Sequence, residues 1–368
     1  MNIVIRVDAS LQMGSGHVVR CLTLAEGLRN RKFNVSFLSQ RLPGHFFAQF
    51  AARGFSVGSL PALEYDGCVP ERDSAVPHAG WLGVDWQHDA GHAAEVLSAV
   101  NRPADWLIVD HYALDKRWED AMRPYANHIM VIDDLANRPH NCELLLDQIC
   151  TDDHLRYEGL LPGGCRKLFG SKFALLRPEF PAARAQPDFP AEFVGNNVVH
   201  VFFGTSDKAG HTMRFSRLLL EQFPGLHLKI AVGGSFAHQD RLADMALQFG
   251  GRVVWQQGVT DMAAHMRDCS IAVGTPGMST WERACMGLPA AHLTNAASQV
   301  DILLSLQESG FCELLGHVES ITDEEFVTGM AHFLGDRTRL TRMRQMGIES
   351  VDGKGVERVI GELTAESQ

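Results

Sequence analysis

What the chain lacks narrows the field first. No Cys-x-x-Cys pair occurs among its 8 cysteines, which removes the common zinc-ribbon and dithiol frameworks. Cys21, Cys68, Cys142, Cys150, Cys165, Cys269, Cys285 and Cys312 are scattered and read as reduced, mostly buried small hydrophobes. No apolar run approaches the roughly 18 residues of a membrane span, so no membrane partner is expected. Positive charge is scarce: 33 Lys and Arg stand against 44 Asp and Glu, a net charge of -11. A nucleic-acid partner held by a basic face is therefore not expected, although backbone amides can still hold a phosphate. Met1 enters the first strand with no charged-then-apolar leader, from which a cytoplasmic location is expected.

What is present is ample core material. Apolar residues make up 45% and charged residues 21% of the chain, the balance of an ordinary globular protein. At 368 residues the chain exceeds the size to which one core usually grows, so two domains are expected. The 17 histidines raise the question of a metal. His88 and His92 have the spacing that puts two imidazoles on one helix face, but only Asp85 or Asp89 stands nearby as a third ligand, and no metal site is expected there.

Short apolar strands alternate with amphipathic helices along the chain, the pattern of parallel sheets covered on both faces. In the first half, strands are predicted at residues 2–7, 33–38, 55–57, 105–110, 128–132 and 143–146. Helices are predicted near 18–30, 46–53, 89–100 and 115–125. Residues 64–77 read as a polar loop. Pro178, Pro181, Pro187 and Pro190 break the alternation, which restarts with strands at 197–203, 226–232, 252–255, 270–273 and 290–293 and closes with helices near 323–334 and 337–363. The domains are accordingly drawn at 1–185 and 197–368, with a linker at 186–196 and a last helix able to pack back on the first domain. Two doubly wound, Rossmann-like α/β domains so joined are expected to face a cleft, where small-molecule sites concentrate.

Several strands end in features that bind ligands. Arg6-Val-Asp-Ala-Ser-Leu-Gln-Met-Gly-Ser-Gly-His17 leaves the first strand through a glycine turn and delivers a histidine to the first turn of a helix. Gly14 and Gly16 permit the tight turn, and the free N–H groups of the helix start suit an anion. The dinucleotide fingerprint is absent, since no third glycine follows at the required offset. His17 is the residue of the first half that combines a near-neutral intrinsic pKa with a probable ligand loop. Asp8, Asp110, Asp133 and Asp134 are candidates to orient it or a water; equally, strand-end acids serve as helix caps. In the second half, Ile271-Ala-Val-Gly-Thr-Pro-Gly-Met-Ser-Thr-Trp-Glu282 runs from strand to helix. Its Gly277, Met278, Ser279 and Thr280 could hold a diphosphate, and Glu282 could reach a ribose diol or act as a capping acid. The turns at Gly204-Thr205 and Gly233-Gly234 share the same implied edge.

These residues resemble a known family. Arg6-x-Asp8-x-Ser10 with Gly14-x-Gly16-His17-x-x-Arg20-Cys21-Leu22-x-Leu24-Ala25 is similar to the opening signature of the UDP-sugar hydrolases of the pseudaminic acid pathway, which remove UDP from a 2,4-diacetamido-trideoxy altrose nucleotide. The resemblance continues through Trp81-Leu-Gly-Val, Asp110-x-Tyr112-x-Leu114-Asp115, Asp133-Asp134-Leu135-Ala136-x-Arg138-x-His140, Leu175-Leu-Arg-Pro-Glu-Phe180 and Ser279-Thr-Trp-Glu-Arg-Ala-Cys-Met-Gly-Leu-Pro289. It implies the two-domain GT-B glycosyltransferase architecture, His17 as general base and inverting attack of water at the anomeric carbon. It also implies a sugar site of Arg6, Asp8, Gly14, Ser15, Gly16, Tyr112 and Asp133. The implied nucleotide site is Gly204, Thr205 and Gly233, then Gly277 to Thr280 with Glu282, then Ser298 and Gln299. No metal or cofactor is implied, and a monomer acting on a nucleotide-sugar is expected.

The chain departs from the family at Gly204-Thr205-Ser206-Asp207 (usually Gly-Gly-x-Asp), at Ser298-Gln299 (usually Asn-Gln), at Asp147-Gln148-Ile149 (usually Asp-Gln-Asn) and in the bulk of Thr275 to Met278. Departures gathered at the nucleotide and sugar ends, with the His17 loop intact, point to an altered substrate. The alternatives are a glycosyltransferase of the same fold and a catalytically silent nucleotide-sugar binder.

Overall fold

The computed structural model describes residues 1–61, 76–100, 102–149, 155–190, 192–193, 195–205 and 207–365, the side chain of Ser298 excepted. Most of the expected 64–77 loop, Cys68, Cys150 and Ser206 lie outside the described residues. The elements in chain order are β1 (Asn2–Val7), α1 (Gly16–Asn30), β2 (Asn34–Gln40), α2 (Phe47–Ala52), β3 (Ser56–Leu60), α3 (Trp86–Ser98), β4 (Ala104–Asp110), α4 (Lys116–Met122), β5 (Ala126–Ile132), β6 (Leu144–Asp147) and β7 (Arg166–Phe169). There follow α5 (Glu179–Arg184), β8 (Val198–Phe202), α6 (His211–Gln222), β9 (His227–Val232), α7 (Gln239–Gln248), β10 (Val253–Gln257), α8 (Met262–Met266), β11 (Ile271–Gly274) and α9 (Met278–Cys285). The chain ends with β12 (Ala290–Thr294), α10 (Val300–Glu308), β13 (Glu313–His317), α11 (Asp323–Gly335), α12 (Arg337–Ser350) and α13 (Gly355–Ala365).

Two compact units result, Met1–Leu175 with Lys354–Gln368, and Leu176–Gly353. The first carries a parallel sheet in the order β3-β2-β1-β4-β5-β6-β7, the second a parallel sheet in the order β10-β9-β8-β11-β12-β13. Both are doubly wound. In each, the strand order reverses beside the first strand, between β1 and β4 and between β8 and β11, which is where such sheets open a crevice at their carboxyl ends.

The central strands of the first sheet are buried on both faces and are mainly apolar, as in β1, β4, β5 and β6. Ile3, Ile5 and Val7 of β1 pack with Ile108 and Ile132 against α1 and α13. Val4 packs with Leu107, Val109 and Val131 on the opposite face, beneath Ala93 of α3 and Trp118 of α4.

The division of the chain differs from the expected 1–185, 186–196 and 197–368. Residues 176–185 join the second unit because α5 packs on α8 and α9, with Arg184 bonding the Val351 carbonyl. The single helix expected over 337–363 is two. Gly353, at φ +80°, turns the chain between α12 and α13. α13 belongs to the first unit, where the Leu363 carbonyl accepts from the Trp106 indole and Glu362 pairs with Arg166. Strands β7 and β13 are additional to those expected. Among the described residues no helix is long and apolar enough to cross a membrane.

Candidate active site

The crevice of the first unit is built by β1 and β4. After β1 the chain turns through Ser10, whose hydroxyl accepts from the Met13 amide and whose carbonyl accepts from Gly14, at φ +75°. The chain then enters α1 with no side-chain cap and no acid in the first turn. His17 occupies the first turn, and β4 brings Asp110 to it, with Nδ1 2.6 Å from Asp110 Oδ1. A carboxylate only accepts, so this bond places the ring proton on Nδ1 and leaves Nε2 as the basic nitrogen. Arg20, one helical turn on, donates to both oxygens of Asp110 at 2.6 and 2.7 Å and to Asp134 Oδ2 at 3.0 Å.

Electrostatics favour a fixed charge pattern. Burial alone would raise the Asp110 carboxyl, but the Arg20 charge, then His17, hold it well below the usual carboxylate range. His17 is 7% exposed and Asp110 fully buried, so water cannot screen the pair. Tyr112 donates to Asp134, sets its ring edge-on to His17 at 4.5 Å, and lies within 5.8 Å of Trp81 and 5.5 Å of His78. Burial beside Asp134 pushes the Tyr112 hydroxyl well up, so it stays a donor.

Three of the residues expected at the sugar are buried. Arg6, Asp8 and Asp133 each have no exposed surface. Arg6 donates to Asp8 at 2.6 Å and forks onto Asp89, which also accepts from Gln40 and the Trp118 indole. Asp8 further accepts from the Gln40 amide and faces His111. Asp133 pairs with Arg138 and accepts from Tyr157 and the Ala136 amide. These side chains tie the carboxyl ends of the strands together through buried partners. Gly14, Ser15, Gly16 and Tyr112 remain at the edge with His17. Asp89, read from sequence beside His88 as a candidate ligand, points into the core, while His88 pairs with Asp85 on the surface.

The crevice of the second unit lies where β8 meets β11. Gly204 follows β8 at φ +93°, its position for a Cβ 3.8 Å from Thr275 Oγ1. Gly233, at the end of β9, lies so close to Thr205 that a Cβ would fall 1.8 Å from the Thr205 carbonyl oxygen. Asp207 caps α6, accepting from the His211 and Thr212 amides at 2.9 Å. After β11, Gly277 at φ +119° and ψ -150° opens α9, which has no side-chain cap and no acid in its first turn. The Thr280 amide donates to the Gly277 carbonyl at 2.9 Å, and the amides of Met278 and Ser279 at this uncapped start form an anion-accepting end. Ser279 donates to the Thr275 carbonyl at 3.2 Å, and Thr280 Oγ1 is buried without a partner among the described residues. Arg283 braces the turn from below, bonding the Thr275 and Phe202 carbonyls. Glu282 meets Arg177 at 3.2 Å. Gln299 accepts from the Asn295 amide, and the Ser298 side chain lies outside the described residues. A cavity of about 440 Å³ opens elsewhere in this unit, between α6 and α7 and away from the strand ends.

No family model matches the chain. It is similar to the spore coat polysaccharide biosynthesis protein SpsG of Bacillus subtilis, 22% identical over 365 residues, 98% of this chain and 96% of that one. It is similar also to the UDP-2,4-diacetamido-2,4,6-trideoxy-beta-L-altropyranose hydrolase of Campylobacter jejuni, 24% identical over 180 residues, 49% of this chain and 53% of that one. An uncharacterized protein of Methanocaldococcus jannaschii is 20% identical over 298 residues, 80% of this chain and 55% of its own. The chain thus spans about half the length of two of these relatives. Among solved structures, MurG of Acinetobacter baumannii aligns with a TM-score of 0.65 at 15% identity, over 99% of this chain and 100% of that one. The spinosyn rhamnosyltransferase SpnG complexed with thymidine diphosphate gives 0.64 at 15% identity, over 98% and 100%. Two Rossmann-like domains with GT-B glycosyltransferases as structural neighbours are therefore the fold of this protein.

Proposed function

We propose that this protein processes a nucleotide-linked sugar, and specifically that it hydrolyses a UDP-linked 2,4-diacetamido-2,4,6-trideoxy sugar within nonulosonic (pseudaminic) acid biosynthesis. The observation that carries the reading is the His17–Asp110 pair at the strand-order reversal of the first unit. A histidine oriented by a buried carboxylate has a defined basic nitrogen, which is what activation of a water requires. In the reaction, water attacks the anomeric carbon, its proton passes to His17 Nε2, the C–O bond to the diphosphate breaks, and the configuration inverts. The departing diphosphate gathers charge, and the uncapped start of α9 is suited to stabilise it without a metal. His17 and the α1 end are assigned to the sugar, the α9 end and Glu282 to the nucleotide. Similarity to a UDP-sugar hydrolase and to glycosyltransferase folds supports the assignment.

The test is incubation of purified protein with the UDP-diacetamido sugar, following UDP and free sugar without any acceptor, in parallel with His17→Ala. Acceptor-independent release, lost in the variant, is expected. Tight UDP binding without turnover would sink the hydrolase reading, and turnover that requires an added sugar or lipid acceptor would make the protein a transferase.

A further inference from the structure

We propose that Arg177 is a positioning residue for the nucleotide, holding the Glu282 carboxylate charged and aimed so that its free oxygen accepts hydrogen bonds from ribose hydroxyls. The inference rests on the assignment of the α9 start to a nucleoside diphosphate. Arg177 belongs to the Leu-Leu-Arg-Pro-Glu-Phe segment, to which the proposed chemistry assigns no task. Its guanidinium is engaged on three sides: Glu282 Oε1 at 3.2 Å, Glu179 Oε1 at 2.9 Å and the Thr260 carbonyl at 3.3 Å. It also lies over the Phe180 ring at 5.5 Å. These contacts fix the cation in place.

Glu282 depends on that cation. Its side chain is only 10% exposed, and among the described residues its second oxygen takes no hydrogen bond. Burial pushes the Glu282 carboxyl up, and Arg177 is the foremost group acting against that rise, ahead of the neighbouring Arg283. The other groups about the carboxylate do not replace it. Glu179 on α5 is itself pushed up by burial and competes for the same guanidinium, with Asp261 adding negative charge near it. Cys285 on α9 is held up as a neutral thiol, and Arg344 of α12 is spent on the Gly287 carbonyl. Without Arg177 the carboxyl is left to the upward push of burial, and once protonated it is a poorer acceptor for a diol.

The experiment is calorimetric titration of UDP and 2′-deoxyuridine 5′-diphosphate into the full chain from pH 6 to 8.5, with melting temperatures to verify folding. The wild type is expected to prefer UDP by roughly tenfold at every pH, the worth of one hydrogen bond to a charged acceptor. In Arg177→Gln the preference should fall toward one at the acid end of this range and return as pH rises. Arg177→Lys, a point charge in place of a fork, should keep the preference independent of pH but smaller. Glu282→Gln should show a small, pH-independent preference. Equal weakening of both nucleotides in Arg177→Gln at all pH values, or the full wild-type preference in Arg177→Lys, would overturn the proposal. A wild type that binds neither nucleotide overturns the nucleotide assignment itself, a distinct result.

Discussion

His17 Nδ1 and Asp110 Oδ1 stand 2.6 Å apart, and the same Asp110 oxygen receives Arg20 at 2.6 Å. The carboxylate thus works in two directions, fixing the imidazole tautomer and anchoring a cation. Asp110→Asn can donate to Nδ1 and so move the ring proton to Nε2, removing the base. Acceptor-independent UDP release should fall by about 10² to 10⁴ in kcat, as should that of His17→Ala. Because the two act as one unit, the double variant should be little worse than either single one. Multiplying losses in stopped-time UDP assays would separate them.

Asp89 carries no catalytic burden, yet its removal should be the more damaging to the fold. It accepts from Arg6, Gln40 and Trp118 in a site with no exposure. Asp89→Ala leaves Arg6 with Asp8 as its remaining buried carboxylate and takes the acceptor from Gln40 and the Trp118 indole in the core, a change worth about 3–5 kcal/mol. Urea unfolding should show the loss; a midpoint within error of wild type would refute it.

Much of the fold is legible in the sequence because the central strands of a parallel sheet covered on both faces are largely apolar runs, as in Ile3 to Ile5 and Leu107 to Val109. β7, reading Arg-Lys-Leu-Phe, and β13, broken by Gly316, are edge strands with less apolar surface to announce them. The α12–α13 break escapes notice because apolar period continues through Val351 and Val356 while Gly353 turns the backbone. In the candidate site, the glycine turns and His17 stand out locally. What pairs with them does not: Asp110 lies 93 residues from His17 and Asp89 lies 83 from Arg6. Arg20 was within reach of the sequence, since an i, i+3 spacing puts it on the His17 face of α1. Burial of Arg6, Asp8 and Asp133 leaves no local signature, because a buried ion network and a ligand-binding one use the same residue types.

Two glycines of the second unit should fail in different ways when given a methyl group. At Gly233 a Cβ would fall 1.8 Å from the Thr205 carbonyl oxygen, so Gly233→Ala must displace the turn, and a lower melting temperature is expected. At Gly277 an added Cβ meets nothing within 4 Å, but φ of +119° is strained for any L side chain, worth about 1–3 kcal/mol. The chain can relieve that strain by shifting the α9 start. Gly277→Ala should therefore weaken UDP binding with a smaller change in melting temperature than Gly233→Ala, and the reverse order would contradict the close packing at Thr205.

Acid should weaken the second unit before it protonates the carboxylates of the first. Burial, followed by the Arg283 charge, lowers His292 to about 3, and burial with Lys229 lowers His265 to about 4. Burial also drives His200 well below its ordinary value, with both ring nitrogens unpartnered among the described residues. For a histidine whose folded pKa is depressed, the unfolded state binds the extra proton. Stability is then complete above the unfolded value of about 6.5 and declines below it, by up to about 1.4 kcal/mol per pH unit for each such histidine. Asp8, Asp110 and Asp133 are depressed carboxylates, whose contribution is lost only as pH falls below about 4. The window from pH 6.5 to 5 therefore isolates the histidines. Urea midpoints should fall across it, with His78 and His111 of the first unit, also lowered by burial, contributing, and His200→Leu, which removes one proton-binding site without deleting a hydrogen bond, should flatten that fall. A wild-type midpoint constant from pH 8 to 5 would mean that these imidazoles gain protons as readily in the folded chain as in the unfolded one, which their burial forbids.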